Sequence, residues 1–284
     1  MVGTLYIVAT PIGNLEDITL RALRLLREAD LVAAEDTRHT RKLLAHFEIT
    51  TPLIAYHQHS DAGRVENLIR RLSEEGQSIA LVTDAGTPGV SDPGVELVEA
   101  ALAAGIPVVP VPGASAALCA LVGSGLPPAR FAFEGFLPRT KSSRLAKLKQ
   151  LAASEARTLI FYEAPNRTAD TLKEMAAAFG PARPAAVGRE LTKRHEEFTR
   201  GPLAEVAARF AASPPRGEIT IVISGPESPA PPALGTGGAA PDVPAALAAA
   251  LAEGLTERDA VRRVAADLRL GRREVYAAML EMKK

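Results

Sequence analysis

A loop rich in glycine and proline, VTDAGTPGVSDPG (82–94), follows a short apolar stretch of the sequence. It contains neither GxGxxG nor GxxxxGK[ST], the two common phosphate-binding patterns. Glycine and proline keep bulky side chains away, so the backbone N–H and C=O groups of such a loop can approach a ligand closely. Asp84 stands near its start, where a carboxylate disfavours a phosphate and suits an amino group or a ribose diol. The loop is therefore predicted to bind a ligand without a phosphate.

A second tight turn, VPGASA (111–116), precedes an apolar segment that is typical of a helix. Its backbone N–H groups and the helix N-terminus that begins near Ser115 are suited to a carboxylate. A ligand with an amino group, a carboxylate and a ribose but no phosphate is S-adenosylmethionine (SAM). The alternative is that both segments are ordinary turns between strands and helices, and the residue types alone leave the two interpretations open.

The segment AAEDTRHTRKLL (33–44) places two carboxylates and an arginine directly after an apolar stretch. Glu35 or Asp36 could accept a proton, and Arg38 could stabilise a developing negative charge. The alternative is structural: Asp36 or Thr37 would cap the following helix, with Arg38 in solvent. Because both acids are expected at the end of a buried strand, we favour catalytic roles for Glu35, Asp36 and Arg38.

Two histidines and a basic run are further candidates. His57 and His59 could act as a base, a metal pair, a cap or an RNA contact, but no third ligand is near them, so no metal site is predicted. The stretch RTKSSRLAKLK (139–149) has five basic residues and no acid. It is either the solvated face of a helix or a contact for RNA phosphates. We favour RNA contacts by these side chains: Arg139, Lys141, Arg144 and Lys147.

Strands and helices must bring these residues together. Short apolar stretches alternate with segments that carry apolar residues at helical spacing, which predicts βαβ units and a parallel sheet. The first series of strands is predicted at 5–9, 31–35, 52–56, 79–83 and 107–111. A second series, again with helices between its members, follows at 131–137, 158–164, 185–191 and 218–224. Ligand crevices in open sheets lie at the carboxyl ends of strands, where the candidate residues would meet.

Breaks in this pattern define the expected domains. GSGLPPAR (123–130) interrupts the alternation, so two α/β domains are predicted, at 1–123 and 124–224. Residues 225–244 are rich in Pro, Gly and Ala and are predicted to form a linker. Residues 245–284 are predicted to form a small helical module that resembles a helix-turn-helix.

The start of that module carries a capping-box-like pair, Thr256 and Asp259, and Gly271 separates two predicted helices. Its basic residues fit either a contact with nucleic acid or a solvated helical hairpin that docks on its own protein. The side chains considered for RNA are Arg262, Arg272 and Arg273.

Composition bounds the class of protein. The chain has 284 residues, enough for two domains, and 33 basic and 33 acidic residues, so any anionic partner must be met by a local patch. The single Cys119 rules out an internal disulfide and is compatible with a reducing compartment. No apolar run is long enough to span a membrane and no signal sequence is recognisable, so a cytoplasmic protein is expected.

Residues 3–224 resemble the tetrapyrrole methylase superfamily, the class III SAM-dependent methyltransferases. More narrowly, the chain resembles the ribosomal small-subunit methyltransferase I family (RsmI). The motifs that carry this resemblance are LYIVATPIGNLEDIT, AAEDTRHTRKLL, LVTDAGTPGVSDPG, VPGASA, FEGFLPR, LIFYEAPNR and GRELTKRHEE. The resemblance implies SAM-dependent 2′-O-methylation of a cytidine (cytidine 1402) in the decoding centre of 16S ribosomal RNA, and a homodimer. The helical module resembles that family's C-terminal helix-turn-helix.

The resemblance also implies where the cofactor binds, in a cleft between the two α/β domains. The residues expected to line the SAM site are Pro11, Ile12, Gly13, Asp84, Ala85, Gly86, Thr87, Pro88, Ser91, Pro112, Ser115, Ala116, Tyr162, Glu163, Leu191, Glu218 and Ile219. A ribose 2′-hydroxyl is a poor acid, so methyl transfer gains from a base or from stabilisation of the alkoxide, which suits the acids and the arginine of AEDTR.

Two rival functions stay open on the sequence. An enzyme of the same fold could methylate a carbon of a tetrapyrrole precursor, although such a substrate has no need of AEDTR, the basic run or the basic tail. A non-enzymatic helix-turn-helix regulator could use the large domain only to sense a ligand.

Overall fold

The computed structural model describes residues 2–57, 62–226, 243–252, 254–267 and 272–282. The chain divides into two compact units, Met1–Ala233 and Leu234–Lys284. The first unit contains both predicted series of strands, and the described residues of the second form helices.

The first sheet of the first unit has five strands, all parallel. They are β1 (Leu5–Val8), β2 (Leu31–Ala34), β3 (Leu53–Ala55), β4 (Ile79–Val82) and β5 (Val108–Val111), in the spatial order β3-β2-β4-β1-β5. Strands β2 and β4 are buried along their whole length because helices cover both faces of the sheet. All five lie where the sequence predicts them, and the expectation of a parallel sheet is confirmed here.

Helices connect these strands. They are a 3-10 turn at Leu15–Asp17, α1 (Leu20–Glu28), α2 (Thr37–His46), α3 (Ala62–Ser73) and α4 (Val95–Ala103). Alternate strand residues point to opposite faces, so two cores form. Leu5 and Leu81 belong to the core on one face, and Val8 and Val82 to the core on the other. Full burial of each such side chain contributes about 1.5–3 kcal/mol to stability.

The second sheet also has five strands but is mixed. They are β6 (Phe131–Phe136), β7 (Thr158–Glu163), β8 (Pro184–Arg189), β9 (Glu197–Pro202) and β10 (Ile219–Ile223), in the order β6-β7-β10-β8-β9. Only β6 and β7 pair in parallel, and the other neighbours are antiparallel. Strand β9 was not predicted, because its sequence EFTRGP is not apolar and no helix separates it from β8.

Four helices pack around the second sheet: α5 (Ala116–Ser124), α6 (Lys141–Ser154), α7 (Thr168–Phe179) and α8 (Leu203–Ala212). Helix α5 extends across the predicted domain boundary at residue 123, and its Ala120 and Leu121, on the first-domain side, pack with Ile160 and Val222 of the second sheet. The division into domains at this residue therefore stays a prediction.

The second unit contains α9 (Val243–Ala252), α10 (Glu257–Asp267) and α11 (Arg272–Glu281) around a small core of its own. Helices α10 and α11 are the pair that the sequence predicts. Thr256 caps α10 as expected: the N–H of Asp259 donates to its hydroxyl at 3.3 Å, and that hydroxyl donates to Asp259 at 2.7 Å. Most of the predicted linker, residues 227–242, lies outside the described residues.

Within the part of the chain that the structure describes, no helix is both long and apolar enough to cross a membrane. The expectation of a cytoplasmic protein stays a prediction.

Candidate functional site

A cavity of about 450 Å³, here called the large cavity, lies in the first unit and is formed by residues of both sheets. Its volume is in the range of small-molecule sites. Eleven of the predicted cofactor residues line it: Ile12, Ala85, Gly86, Thr87, Ser91, Ser115, Ala116, Tyr162, Glu163, Glu218 and Ile219. The start of β10 and the end of β7 meet here because these strands are antiparallel and Ile219 pairs with Glu163.

The glycine-rich loop forms one wall of the large cavity and is held to the loop after β1. The N–H of Thr10 donates to the carbonyl of Gly86 at 2.8 Å, and the N–H of Gly86 donates to that of Thr10 at 3.1 Å. Gly86 has φ +83° and Ser91 has φ +63°, a region that side chains rarely adopt. A Cβ on Gly86 would lie 3.7 Å from Ile12, so strain rather than a clash would follow its replacement.

Acidic and apolar groups dominate the large cavity. Among the described residues, no Lys or Arg lines it, which is unlike a phosphate site and compatible with a cationic ligand. Asp92 lines it, and burial, followed by the charges of Glu35 and Asp84, raises the pKa of Asp92 to about 6. Burial also raises the pKa of Tyr162, whose ring packs edge-on against Phe136 at 5.6 Å.

Several lining residues were missing from the sequence-based set. They are Val90, Asp92, Phe136, Ala164, Pro165, Gly217 and Thr220. Each lies within three residues of a predicted member or inside a quoted motif, as Asp92 does in the glycine-rich loop. The sequence therefore indicated the segments that form the large cavity, but it did not indicate which side chains of those segments face it.

Six predicted cofactor residues lie outside the lining of the large cavity. Pro88 is buried, Pro112 is exposed, and Leu191 packs behind the cavity beside α5. Pro11, Gly13 and Asp84 instead line a second cavity of about 270 Å³, here called the small cavity. Its other lining residues are Thr10, Leu15, His39, Lys42 and Leu43.

The predicted catalytic acids Glu35 and Asp36, after β2, meet the predicted cofactor residue Asp84, after β4, at the carboxyl ends of these adjacent parallel strands. The N–H of Asp84 donates to Glu35 at 3.4 Å, and the N–H of Asp36 donates to Asp84 at 3.2 Å. Burial is the main cause that raises the pKa of Glu35, with smaller contributions from the charges of Asp84 and Asp36. Glu35 is thus an acid whose proton affinity is increased by its surroundings.

Asp36 has the structural role that the sequence offered as an alternative, and its catalytic role stays a prediction. Its carboxylate caps α2 by accepting the N–H of Arg38 at 2.8 Å. The guanidinium of Arg38 also donates to both of its oxygens, at 3.1 and 2.7 Å, while the Arg38 side chain is 85% exposed. Hydrogen bonds from Arg38 hold the pKa of Asp36 well below its usual range. Asp36 is therefore a weak base that fixes Arg38 at the site.

The prediction that Arg144 binds RNA is wrong. Arg144 is 7% exposed and forms a bidentate pair with Glu174 on α7, at 2.5 and 2.9 Å, while a third N–H donates to the carbonyl of Arg139 at 3.2 Å. Because α6 is amphipathic, one basic residue of the run points inward and ties α6 to α7. Lys147 is paired with Glu134 at 2.9 Å, and Arg139 and Lys141 are exposed.

The structure describes only some of the other residues that were considered for contacts with RNA. Arg262 is exposed on α10 and pairs with Asp259 at 3.1 Å. The side chains of Arg272 and Arg273, and the whole of His59, lie outside the described residues. Among the residues that are described, no cluster of three or more His, Cys, Asp or Glu side chains could hold a metal ion.

Two α/β sheets with a cavity between their strand ends are the architecture of the tetrapyrrole methylases. The family of tetrapyrrole (corrin/porphyrin) methylases matches residues 4–207. A crystal structure of uroporphyrin-III C-methyl transferase from Thermus thermophilus, complexed with S-adenyl homocysteine, is similar with a TM-score of 0.54 and 25% identity, over 78% of this chain and 97% of that chain.

Comparison with curated relatives indicates a particular family within the tetrapyrrole methylases. A ribosomal RNA small subunit methyltransferase I from Synechocystis sp. is 49% identical over 280 residues, which are 99% of this chain and 98% of that protein. A protein of the same name from Halalkalibacterium halodurans is 52% identical over 223 residues, 78% of this chain and 76% of that protein. The chain belongs to the tetrapyrrole methylase family and, within it, to the ribosomal RNA small subunit methyltransferase I family.

Proposed function

We propose that this chain is a SAM-dependent methyltransferase that modifies the 2′-hydroxyl of a cytidine (cytidine 1402) in 16S ribosomal RNA. The observation that carries the proposal is the 49% identity, over nearly the whole chain, to a relative named ribosomal RNA small subunit methyltransferase I. The large cavity supports it, because a cavity lined by acids and apolar groups fits a cationic cofactor.

The residues of the large cavity match the parts of SAM. Gly86 and Thr87 shape the wall of the large cavity, where the N–H and C=O of Gly86 are bonded to Thr10. Ser115, the N-cap of α5, lies where a carboxylate would meet helix N–H groups. Glu218, which also pairs with Lys193 at 3.2 Å, offers a carboxylate for an amino group or a ribose diol, and apolar side chains such as Ile219 face the remaining volume. When bound, SAM supplies an activated methyl group on a sulfonium centre.

The chain's own contribution to the chemistry is to orient the acceptor hydroxyl and to take up its proton. Glu35 and Asp92 are the acids with a raised pKa, and Asp92 lines the large cavity. Asp36 holds the exposed guanidinium of Arg38, which in this proposal stabilises negative charge on the acceptor oxygen of the bound RNA. We therefore assign proton uptake to Glu35 or Asp92 and charge stabilisation to Arg38.

Neither rival function has comparable support. The uroporphyrin-III C-methyl transferase is 25% identical to this chain, roughly half the identity of the ribosomal RNA methyltransferases. Relatives that match this chain at 49% and 52% identity are named as methyltransferases, which speaks against a non-enzymatic regulator.

A transfer assay tests the proposal. The protein is incubated with tritiated SAM and, in separate reactions, unmodified small ribosomal subunits, naked 16S RNA, duplex DNA and a porphyrinogen. We expect label only in the ribosomal RNA, at a ribose that resists alkaline cleavage. Label in the porphyrinogen, or in none of the four, would contradict the proposal.

We also propose that the protein acts as a cytoplasmic homodimer, as its family resemblance implies. Exposed apolar side chains on α5, Leu118 at 50% and Val122 at 74%, offer surface that a second copy could bury. Sedimentation equilibrium at micromolar concentration should give twice the mass of the chain. A single species of monomer mass would contradict it.

A further inference from the structure

The small cavity, about 270 Å³, is a separate concave site beside the large cavity. Three elements bound it: the loop after β1, helix α2 and the end of β4. The loop contributes Pro11, Gly13 and Leu15, and β4 leads into Asp84.

Helix α2 turns a basic edge toward the small cavity. His39 and Lys42 are three residues apart and therefore lie on the same face of α2, with Leu43 beside them. Both basic side chains are exposed. Arg41, the neighbour of Lys42, points elsewhere and lines a different depression with Leu44.

The charge on this edge is available to a ligand. Arg38 is held by Asp36, but among the described residues Lys42 takes part in no ion pair. Net charge over the whole chain is zero, so a local pair of basic groups is what an anionic partner would meet.

The lining of the small cavity combines the three chemistries that a nucleotide requires. His39 and Lys42 suit a phosphate, and Leu15 and Leu43 offer apolar surface to a base. Asp84 is an acceptor, which suits an exocyclic amino group or a ribose hydroxyl. In the part of the chain that the structure describes, the lining of the large cavity has no Lys or Arg for a phosphate.

The two cavities share their walls. Ile12 faces the large cavity, whereas its neighbours Pro11 and Gly13 face the small one. In the same way Ala85 faces the large cavity and Asp84 the small one. An occupant of the small cavity would therefore lie next to the cofactor, separated from it by these two loops.

We propose that the small cavity binds one nucleotide of the RNA substrate, with its phosphate on His39 and Lys42, its base against Leu15 and Leu43, and Asp84 as hydrogen-bond acceptor. This inference rests on the proposed function, because it names the part of the protein that holds the RNA beside the cofactor. It also reassigns Asp84 from the cofactor to the RNA.

A charge reversal with a neighbouring control tests the phosphate contact. Lys42→Glu and Arg41→Glu make the same change of charge on adjacent exposed positions of α2, but only Lys42 lines the small cavity. RNA affinity is measured by filter binding to unmodified small subunits across a salt series. We expect Lys42→Glu to weaken binding about tenfold beyond Arg41→Glu and to lower the log–log salt slope by about one more unit.

Filling the cavity tests the base contact. Leu15→Trp places a large ring at the small cavity, and Leu20→Trp makes the same change at a position that is 86% exposed and lines neither cavity. We expect Leu15→Trp alone to raise the KM for RNA, with SAM affinity by calorimetry and Tm unchanged in both variants.

The outcomes separate this inference from the proposed function. Equal RNA affinity, within twofold, for Lys42→Glu and Arg41→Glu would overturn the nucleotide site while the wild-type protein still labels ribosomal RNA. A loss of SAM affinity in Leu15→Trp would also overturn it, because the small cavity would then belong to the cofactor. Failure of the wild-type protein to label RNA would instead overturn the proposed function.

Discussion

Asp92 is an acid of the large cavity whose pKa lies above the usual range of a carboxyl group. Burial first, and then the charges of Glu35 and Asp84, raise the pKa of Asp92 from 3.8 to about 6. A raised carboxyl pKa means that the folded state binds the proton more tightly, so the stability it contributes is present at low pH and is lost as the pH rises from about 4 through about 6. We expect Asp92→Asn to raise Tm at pH 7 and to leave Tm at pH 4 nearly unchanged, as thermal unfolding would show.

Asp92 is also expected to affect the rate of methyl transfer. If Asp92 takes up the proton of the acceptor hydroxyl, the single-turnover rate should rise with pH through about 6. Asp92→Asn should then lower that rate by roughly 10²–10⁴-fold, the usual contribution of a general base. Glu35→Gln is the matched comparison. A wild-type rate in Asp92→Asn together with a slow Glu35→Gln variant would assign the proton to Glu35.

Asp36 is expected to act by holding Arg38. Asn caps helices about as well as Asp, so Asp36→Asn should keep the fold and its Tm. It would lose the paired hydrogen bonds to the guanidinium, so we expect turnover to fall by less than the loss of a base would cause, to about the level of Arg38→Lys, which loses the planar fork. The double variant should be no slower than either single one. Additive losses would mean that Asp36 contacts the substrate itself.

Gly86 is required by its backbone conformation. With φ +83° and its N–H and C=O both bonded to Thr10, an alanine here is strained by about 1–2 kcal/mol and distorts the wall of the large cavity. We expect Gly86→Ala to weaken SAM binding at least tenfold by calorimetry. Gly105→Ala is the control, since it has φ +69°, open space around it and no part in either cavity. Equal SAM affinity in the two variants would remove Gly86 from the cofactor site.

At the scale of elements, the sequence predicts those strands and helices that have a clear hydrophobic pattern of their own. The strands of the first sheet are short apolar runs between amphipathic helices, so their positions and parallel direction could be predicted, as could the meeting of Glu35 and Asp84 at one edge. The polar strand β9 could not, because it is defined by its pairing with β8 and not by its own composition. Loop residues such as Pro11 and Ile12 could be assigned to the edge of the sheet but not to one cavity or the other, since that depends on tertiary contacts.

Arg144 of helix α6 is expected to stabilise the fold and not to bind RNA. Its pair with Glu174 is almost fully buried, and removing one partner leaves an unpaired charge in the interior. Arg144→Ala should therefore lower the free energy of unfolding by about 3–5 kcal/mol. Lys141→Glu, on the exposed side of the same helix, should leave stability unchanged and reduce RNA affinity. A stable Arg144→Ala variant with reduced RNA affinity would restore the original prediction.

At the scale of the whole molecule, we expect the first unit to bind the cofactor and the second unit to contact RNA. Every residue that lines the large cavity lies between Ile12 and Thr220, and the second unit has a core of its own around Leu247 and Val264. A variant that ends at residue 226 should therefore bind SAM with unchanged affinity. Because the second unit carries the arginines considered for RNA, we expect the truncated protein to bind small subunits more weakly and with a shallower salt dependence.

A matched variant separates loss of charge from loss of the unit. Arg262→Gln removes an exposed cation from α10 whose pair with Asp259 lies within one helix end, so its fold should persist. If this unit contacts RNA, that variant should reproduce part of the weakening seen on truncation and lower the salt slope by about one unit. Undiminished RNA affinity in both variants would show that the second unit is a helical module without an RNA contact, and would leave the first unit to hold the substrate alone.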